Sequence, residues 1–342
     1  MSRPPGAKAC ICLTLAVAGL LATTAATAQR ASLPLRLTHM ETVGQGLSLG
    51  AVMSTALAPD GSVYIADRTT NQVYRLKPDG SIADTIGASG AGPGEFAMVY
   101  RIGVRRATGE LMVYDVMRGE VSTFTDAGKY VSRTHLPISF AQVDAIVPLD
   151  DGSVAISGTI GRPLPDQAFG VHVFDRSWQL VRSFGPLPVS KNARAGAMWG
   201  AGGLTLTAAG DLLYVRRLPY EIYRYSAAGT LLGLTNTRIS AQYGPDDAIS
   251  VTTANGRVTY ATGRDVWRPV AALQLPDGSV VSGRVDRTGL VMDRFKPDGT
   301  LIGTGSQDSI TGLIGIDVVR RLAWFVGEDE LAPVIKRAEW AE

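Results

Sequence analysis

The stretch LAPDGSVYIADRTTNQVYRLKPDGSI, residues 57–82, contains two Pro-Asp-Gly turns separated by two short β-rich segments. Proline presets the first torsion of a turn and glycine adopts a positive φ, so each tripeptide predicts a tight turn. The two turns end at Gly61 and Gly80, which are 19 residues apart. The stretch therefore predicts a small antiparallel sheet, with strands at Ala51–Ala58, Val63–Ala66, Gln72–Lys77 and Ser81–Ile86.

The same arrangement recurs along the chain. Gly109 and Gly128 are also 19 residues apart, as are Gly210 and Gly229, and Gly278 precedes Gly299 by 21 residues. A looser copy surrounds Asp151-Gly152. Recurrence at a fixed spacing indicates an array of small sheets of one kind. A sixth unit has three strands only, at Leu313–Val318, Leu322–Val326 and Val334–Trp340.

The missing fourth strand of the sixth unit has a counterpart near the start of the chain. Leu35–Val43 is a β-rich segment that belongs to no unit of its own. If it pairs with Val334–Trp340, six complete sheets form a closed ring without an exposed seam. The sequence therefore predicts an all-β, six-bladed β-propeller whose last blade is closed by the N-terminal strand, with residues 29–342 as a single domain. A right-handed solenoid of the same strands is the alternative.

Residues 1–28 have the features of a cleavable secretory signal peptide. Arg3 and Lys8 precede the apolar run Ile11–Leu21, and Ala26-Thr27-Ala28 is a small-residue cleavage signal. The run is shorter than the roughly 20 residues that a membrane span needs. Cys10 and Cys12, the two cysteines of the chain, precede the apolar run, so no lipoprotein attachment site is expected. We expect a secreted or periplasmic protein without a membrane span.

Charge composition disfavours nucleic acid as a partner. Removing residues 1–28 takes Arg3 and Lys8 from the 33 basic residues, which leaves 31 Lys plus Arg against 31 Asp plus Glu. A nucleic-acid-binding protein needs a concentrated excess of cations to replace phosphate counterions. The mature chain has neither the excess nor a long basic run, and we expect it to be a monomer that binds no nucleic acid.

Blade 1 carries the resemblance to a known repeat. Val63–Asp67, Asn71–Leu76, Pro78–Gly80 and the glycine-rich Gly90–Phe96 together resemble one NHL repeat, and the later units are similar to secreted bacterial six-bladed propellers. This resemblance implies the propeller fold. It also implies binding of proteins, RNA or small ligands, as NHL-like propellers mostly do, with lyases and hydrolases as a minority.

Loop lengths distinguish the two faces of the expected ring. Turns between the first and second strands, and between the third and fourth, emerge on one face and are short; we call it the short-turn face. The opposite long-loop face carries the loops between second and third strands and the crossings between blades. The long segments Gly87–Met98, Gly158–Ala168, Gly185–Gly202 and Thr237–Arg268 all belong to it. Long loops in a compact domain are typical of functional sites.

Arginines and aromatic residues on the long-loop face are the candidate ligand-binding residues. Both residue types are enriched at binding hot spots, and guanidinium groups suit carboxylates and phosphates. The candidates are Arg68, Arg118, Arg162, Arg216, Arg217, Arg284, Trp199, Tyr243 and Trp267. The expected partner is a protein, peptide, glycan or small anionic ligand. Alternatively, these arginines form ion pairs with rim acids such as Asp67, Asp115, Asp246, Asp247 and Glu328.

The enzymatic alternative is a metal-dependent hydrolase or lyase with carboxylate ligands in the central channel. Asp67 and Asp115 end second strands and are the weak candidates for a Ca²⁺ site, with Asp317 or Glu328 as further ligands. Aspartate at such a position also binds backbone amides in turns, which we favour. His39, His135 and His172 fall in different strands far from the axis, so a three-histidine zinc site is disfavoured. No catalytic residue and no cofactor is predicted.

Overall fold

A computed structural model describes residues 34–160, 168–188, 202–217, 220–236, 249–254, 257–262, 268–286, 289–307, 309–330 and 332–341. The chain divides into two units, Met1–Arg30 and Ala31–Glu342, and all the described residues belong to the second. These residues form 26 strands, with no helix among them. The predicted signal peptide lies outside the described residues.

The strands form six four-stranded antiparallel sheets and one separate hairpin. Blade 1 contains β2 (Val52–Leu57), β3 (Val63–Asp67), β4 (Gln72–Leu76) and β5 (Ile82–Ile86); blade 2 contains β6 (Val99–Val104), β7 (Leu111–Asp115), β8 (Glu120–Phe124) and β9 (Tyr130–His135); blade 3 contains β10 (Phe140–Pro148), β11 (Val154–Ile160), β12 (Phe169–Phe174) and β13 (Leu180–Pro186). Blade 4 contains β14 (Gly202–Leu206), β15 (Leu212–Arg216), β16 (Glu221–Tyr225) and β17 (Leu231–Asn236); blade 5 contains β20 (Arg268–Gln274), β21 (Val280–Asp286), β22 (Gly289–Phe295) and β23 (Leu301–Ser306).

Blade 6 contains strands from both ends of the described chain. Its order is β1 (Arg36–Val43), β26 (Ala332–Ala341), β25 (Leu322–Asp329) and β24 (Ile310–Asp317). β1 pairs antiparallel with β26, from Arg36 opposite Ala341 to Val43 opposite Ile335. The predicted closure is therefore confirmed, and the fold is a six-bladed β-propeller and not a solenoid.

The hydrophobic core is distributed between the blades. The buried apolar residues form six clusters, and each cluster joins two neighbouring blades. One cluster packs Tyr64 of blade 1 against Val113 and Phe124 of blade 2. Another packs Ile65 of blade 1 against Trp324 of blade 6, and thereby continues the core across the closure. Every blade is thus stabilised by burial against both neighbours.

Aspartate and glycine set the turns of the short-turn face. Gly61 and Gly278 adopt φ values of 83° and 80°, which residues with a Cβ rarely adopt. Asp60 precedes Gly61, and its Oδ1 accepts a hydrogen bond from the Ser62 N–H at 2.9 Å. This aspartate–glycine–hydroxyl chemistry is the reason why the repeated sequence specifies the turns.

Arginines link neighbouring blades on this same face. Each donates a hydrogen bond from its guanidinium group to a backbone carbonyl of the next blade, or of the residue that leads into it. The links run from Arg75 to Asp126 (2.6 Å), from Arg182 to Ala227 (2.7 Å), from Arg294 to Pro34 (3.5 Å) and from Arg337 to Pro78. The short-turn face therefore repeats one stabilising pattern around much of the ring.

The insertion between blades 4 and 5 contains the predicted hairpin. β18 (Ile249–Ala254) and β19 (Arg257–Thr262) pair antiparallel, as the Asn-Gly signal indicated. The rest of that insertion, together with most of the segments 158–168 and 185–202, lies outside the described residues. Of the long loops predicted from the sequence, Gly87–Met98 is described completely.

Candidate functional site

The first strands of the six blades surround a central cavity. β2, β6, β10, β14, β20 and β24 all contribute to its lining, and its volume is about 680 Å³. This volume falls within the range of about 300–1,000 Å³ that is usual for small-molecule sites. Each of these strands starts at the long-loop face and runs toward the short-turn face. The cavity therefore has a long-loop end and a short-turn end.

Arg101 lies in the cavity near the long-loop end. It is the third residue of β6, and its Cζ lies 4.0 Å from the centre of the Tyr100 ring. Its Nε donates to the Asp144 carbonyl at 2.8 Å, and its Nη1 donates to the Met53 carbonyl at 2.8 Å and the Tyr100 carbonyl at 3.0 Å. Three backbone carbonyls from three blades thus fix the guanidinium group.

Burial lowers the pKa of Arg101 from its ordinary value. The positive charge of Arg217 lowers this pKa further, whereas Tyr100 and Asp144 raise it. Because the pKa of Arg101 is lowered overall, removal from water outweighs the favourable charges around the guanidinium group. Arg101 is therefore a desolvated cation in the wall of a cavity.

Asp144 brings a second arginine to the same end. This residue of β10 has a side chain that is only 1% exposed, and it forms an ion pair with Arg217, which follows β15 in blade 4. Gln142 Nε2 also donates to Asp144 Oδ1, at 2.7 Å. Asp144 Oδ2 is buried and accepts no hydrogen bond from the described residues. One predicted residue, Arg217, therefore does line the cavity, and it does so through a carboxylate that the sequence analysis did not select.

A third arginine lies at the short-turn end of the cavity. Arg106, in the turn after β6, forms an ion pair with Asp150 of blade 3. Its Nη1 also donates to the Thr207 and Ala208 carbonyls of blade 4, at 2.8 and 3.0 Å. Arg106 thus connects three blades, with its charge balanced by Asp150.

The other predicted arginines differ in their exposure. Arg68 is exposed, and the described residues supply no partner for its side chain. Arg118 is partly buried, lies 3.5 Å from Asp115 and donates to the Glu95 and Gly90 carbonyls, so it holds the loop Gly87–Met98. This ion pair is one that the alternative interpretation expected.

Arg216 and Arg284 lie in buried ion pairs. Arg216 pairs with Glu221, and its Nη1 donates to the Pro186 carbonyl at 3.1 Å. Arg284 Nε donates to Asp293 Oδ2 at 2.7 Å, and the two side chains are 6% and 0% exposed. Both guanidinium groups are held in ion pairs inside blades 4 and 5. The remaining candidates, Arg162, Trp199, Tyr243 and Trp267, lie outside the described residues.

Asp67 and Asp115 bind backbone amides. Asp67 accepts from the Ala51 and Gly50 N–H groups, at 2.8 and 3.1 Å, and from its own loop at Thr69. Asp115 accepts in the same way from Ala97, Met98, Met117 and Arg118. The bonds from Thr69 and Met117 are the local turn contacts that the sequence indicated, and the bonds from the preceding segment fix a crossing between blades, which the sequence did not indicate. Within the described ranges, no group of three His, Cys, Asp or Glu residues is placed to hold a metal ion.

The histidines occupy the strands that the sequence indicated. His39 lies in β1, His135 in β9 and His172 in β12, in three different blades. His172 is 3% exposed, and its Nδ1 lies 2.8 Å from Ser183 Oγ. Burial lowers its pKa from 6.5 to about 4, so the ring is neutral at physiological pH.

Sequence reasoning missed Arg101, Asp144 and Arg106. A signal for the first two exists, because they are the charged residues that lie inside a first strand and away from its ends. First strands border the axis of a propeller, so a charge within one indicates the channel wall. Arg106 lies in a turn and has no comparable signal.

The fold has relatives among known proteins. A family model described as a 6-bladed beta-propeller matches residues 51–155, which span blades 1 and 2 and the start of blade 3. These residues match a propeller family. No curated protein matches the chain.

Solved structures share the propeller fold at low sequence identity. A Bacteroides fragilis protein named as an exported protein has a TM-score of 0.62 at 12% identity, covering 92% of this chain and 98% of that chain. Virginiamycin B lyase from Staphylococcus aureus has a TM-score of 0.53 at 14% identity (89% and 99%). A gluconolactonase from Xanthomonas campestris has 0.52 at 12% (91% and 96%). At these identities, the similarity establishes the fold alone.

Proposed function

We propose that this protein is a secreted or periplasmic binding propeller that takes a small molecule into its central cavity from the long-loop face. The observation that carries the proposal is the cavity of about 680 Å³ with fixed arginine side chains in its wall. Apolar lining with a few placed polar groups is typical of small-molecule sites. The described loop Gly87–Met98 lies at the same face and is placed to add contacts to a ligand that extends out of the cavity.

Two further observations support export. The similar Bacteroides fragilis protein is named as exported, and residues 1–28 have the composition of a signal peptide. The described part of the chain contains no helix with the length and apolar character of a membrane span. We therefore place the binding function outside the cytoplasm.

A pair of tryptophan substitutions tests the proposed site. Thr55 lines the cavity from β2, whereas Thr85 is exposed on β5, the outer strand of the same blade. Thr55→Trp fills part of the cavity, and Thr85→Trp adds the same side chain outside it. A small-molecule library is screened against the mature protein and both variants by ligand-observed NMR.

We expect compounds that bind the wild type to bind Thr85→Trp and to lose binding to Thr55→Trp. Circular dichroism of both variants confirms that the sheet content is retained. If Thr55→Trp binds the same compounds with unchanged affinity, the cavity is not the binding site and the proposal is wrong.

A further inference from the structure

Among the described residues, Arg101 is the cavity arginine without an ion pair of its own: the nearby charge of Asp144 raises its pKa, but that carboxylate is already paired with Arg217. Arg217 pairs with Asp144 and Arg106 pairs with Asp150. Arg101 donates to backbone carbonyls only, and no described carboxylate lies within ion-pair distance of it. A largely desolvated cation without an ion pair of its own is costly because much of its hydration is lost. An anion in the cavity would supply that ion pair.

The guanidinium group of Arg101 has one edge left for such an anion. Arginine carries five N–H groups, one on Nε and two on each Nη atom. Nε and Nη1 donate to the carbonyls of Asp144, Met53 and Tyr100. Nη2 makes no hydrogen bond with the described residues and is not among the fully enclosed polar atoms. Its two N–H groups are therefore available to a ligand in the cavity.

The side chain is positioned before any ligand arrives. Three carbonyls from blades 1, 2 and 3 fix the guanidinium plane, and the Tyr100 ring lies 4.0 Å from Cζ. Little side-chain entropy is then lost when an anion binds. A fixed donor in a water-poor site also gives a stronger hydrogen bond than the same donor in water.

The remaining lining limits the kind of anion. Leu57, Val147, Leu206, Leu273 and Ile316 are partly buried and border the cavity from five blades. Such a surface favours a compact apolar body. A single positive charge without an ion pair of its own matches a monoanion better than a phosphate dianion. The ligand that fits this cavity has one negative charge and an apolar body.

We propose that the cavity binds a small monocarboxylate with an apolar body, whose carboxylate oxygen accepts hydrogen bonds from Arg101 Nη2. This inference rests on the proposed function, because it assigns a ligand class to the same cavity. Arg217 and Asp144 border the carboxylate position from the long-loop end, and Arg106 closes off the short-turn end.

Sets of matched probes test the charge requirement without any substitution. Each set has one apolar body with three head groups: hexanoate, hexanamide and hexylamine; phenylacetate, phenylacetamide and phenylethylamine; and the corresponding cyclohexyl compounds. Binding to the wild-type mature protein is measured by calorimetry and ligand-observed NMR. We expect the carboxylate to bind about ten- to a hundredfold more tightly than the amide of its set, and the amine not to bind.

Substitutions at Arg101 then assign the donor. Arg101→Met should abolish the preference for carboxylate over amide, and Arg101→Lys should keep part of it. Arg68→Met is the control, because it removes an exposed arginine of the same face and should leave the preference unchanged. If Arg101→Met does not fold, Arg101→Lys and the probe sets on the wild type still show whether the cavity prefers carboxylates and whether Arg101 is the donor.

The outcomes separate this inference from the proposed function. Equal binding of carboxylates and amides, lost in Thr55→Trp, would leave the cavity as the binding site and overturn the monocarboxylate. The inference is also overturned if no carboxylate of any set binds. Carboxylate binding that survives both Thr55→Trp and Arg101→Met would contradict both proposals.

Discussion

The two faces of the ring differ in how their polar residues are used. On the short-turn face, Asp60, Asp151 and Asp277 each accept a hydrogen bond from the N–H group two residues later. On the long-loop face, among the described residues, a comparable arrangement recurs in blades 1 and 2 alone. The second strand ends with an amide-binding aspartate in blades 1 and 2, whereas Arg216 and Arg284 form buried ion pairs in blades 4 and 5.

This difference shows where the ring is specified and where it is free to vary. The same aspartate–amide hydrogen bond, repeated in the turns of one face, specifies where the strands of blades 1, 3 and 5 begin and end. The polar contacts of the long-loop face can therefore differ from blade to blade. The Arg101–Asp144–Arg217 group is one such contact. Three substitution experiments, in order of expected effect, test whether the faces differ energetically as well as chemically.

The largest effect is expected at Asp293 in blade 5. Asp293→Ala removes the carboxylate of the buried ion pair with Arg284, and it also removes the acceptor of Thr304 Oγ1. Breaking a buried pair from one side costs about 3–5 kcal/mol. The free energy of unfolding, measured with urea, should fall by this amount.

The control for Asp293 is Asp277 on the short-turn face. Its ion pair with Arg294 is partly exposed, and exposed pairs contribute about 0–1 kcal/mol. Asp277→Ala should therefore destabilise much less. Equal losses for the two variants would show that the faces do not differ in this way.

An intermediate effect is expected at Asp67 and Asp115. Substitution of either residue by alanine leaves partly buried backbone N–H groups without their acceptor, each at a cost of about 1–3 kcal/mol. Because the two residues have the same role, both variants should lose about 2–4 kcal/mol of unfolding free energy. Hydrogen exchange should show the loss of protection at the crossings that precede β2 and β6. A large loss for one variant and none for the other would contradict the shared role.

The smallest effect at neutral pH is expected at His172, whose contribution to stability is instead a pH dependence below pH 6.5. Its pKa is about 4 in the folded protein against 6.5 in the unfolded chain. Between these values the unfolded state binds more protons, so stability rises with pH across the window and is lost as the pH falls through it. The slope is at most about 1.4 kcal/mol per pH unit.

A substitution at His172 distinguishes the pH range in which His172 affects stability from the lower range in which the short-turn aspartates do. His172→Gln should remove the slope between pH 4 and 6.5. Hydrogen bonds from Ser153 and Ser279 lower the pKa of Asp151 and Asp277 below 3.8, so the stability they contribute is present above that value and lost below it. A slope near pH 5 that persists in His172→Gln would place the titrating group elsewhere.

The repeated turns made the architecture predictable from the sequence. Pro-Asp-Gly and its variants encode local conformation, so the blade positions and the pairing of β1 with β26 followed from counting strands. The hairpin at Ile249–Ala254 and Arg257–Thr262 followed from Asn-Gly in the same way. The hydrogen bond from the Thr69 N–H to Asp67 was also accessible, because the two residues are neighbours in one turn.

The cavity chemistry was not predictable to the same extent. Arg217 and Asp144 are 73 residues apart, and their pairing depends on how blades 3 and 4 pack side by side. Arg101 lies in a strand that reads as core, and its acceptors are carbonyls, which every residue possesses. The sequence predicted which face carries the arginines but not whether each would bind a carbonyl, a carboxylate or neither. For Arg101 and Arg217 that choice is made by inter-blade geometry, which local patterns do not encode.

The pairing of β1 with β26 has a kinetic consequence. Arg36 and Ala341 are opposite each other although 305 residues separate them along the chain. Contacts of such high sequence separation form late, because the entropy of closing a long loop opposes them until the intervening blades are in place. Completion of blade 6 is therefore expected to be the slow step of folding, and until then the edge of β26 that β1 occupies is open to pairing with other chains.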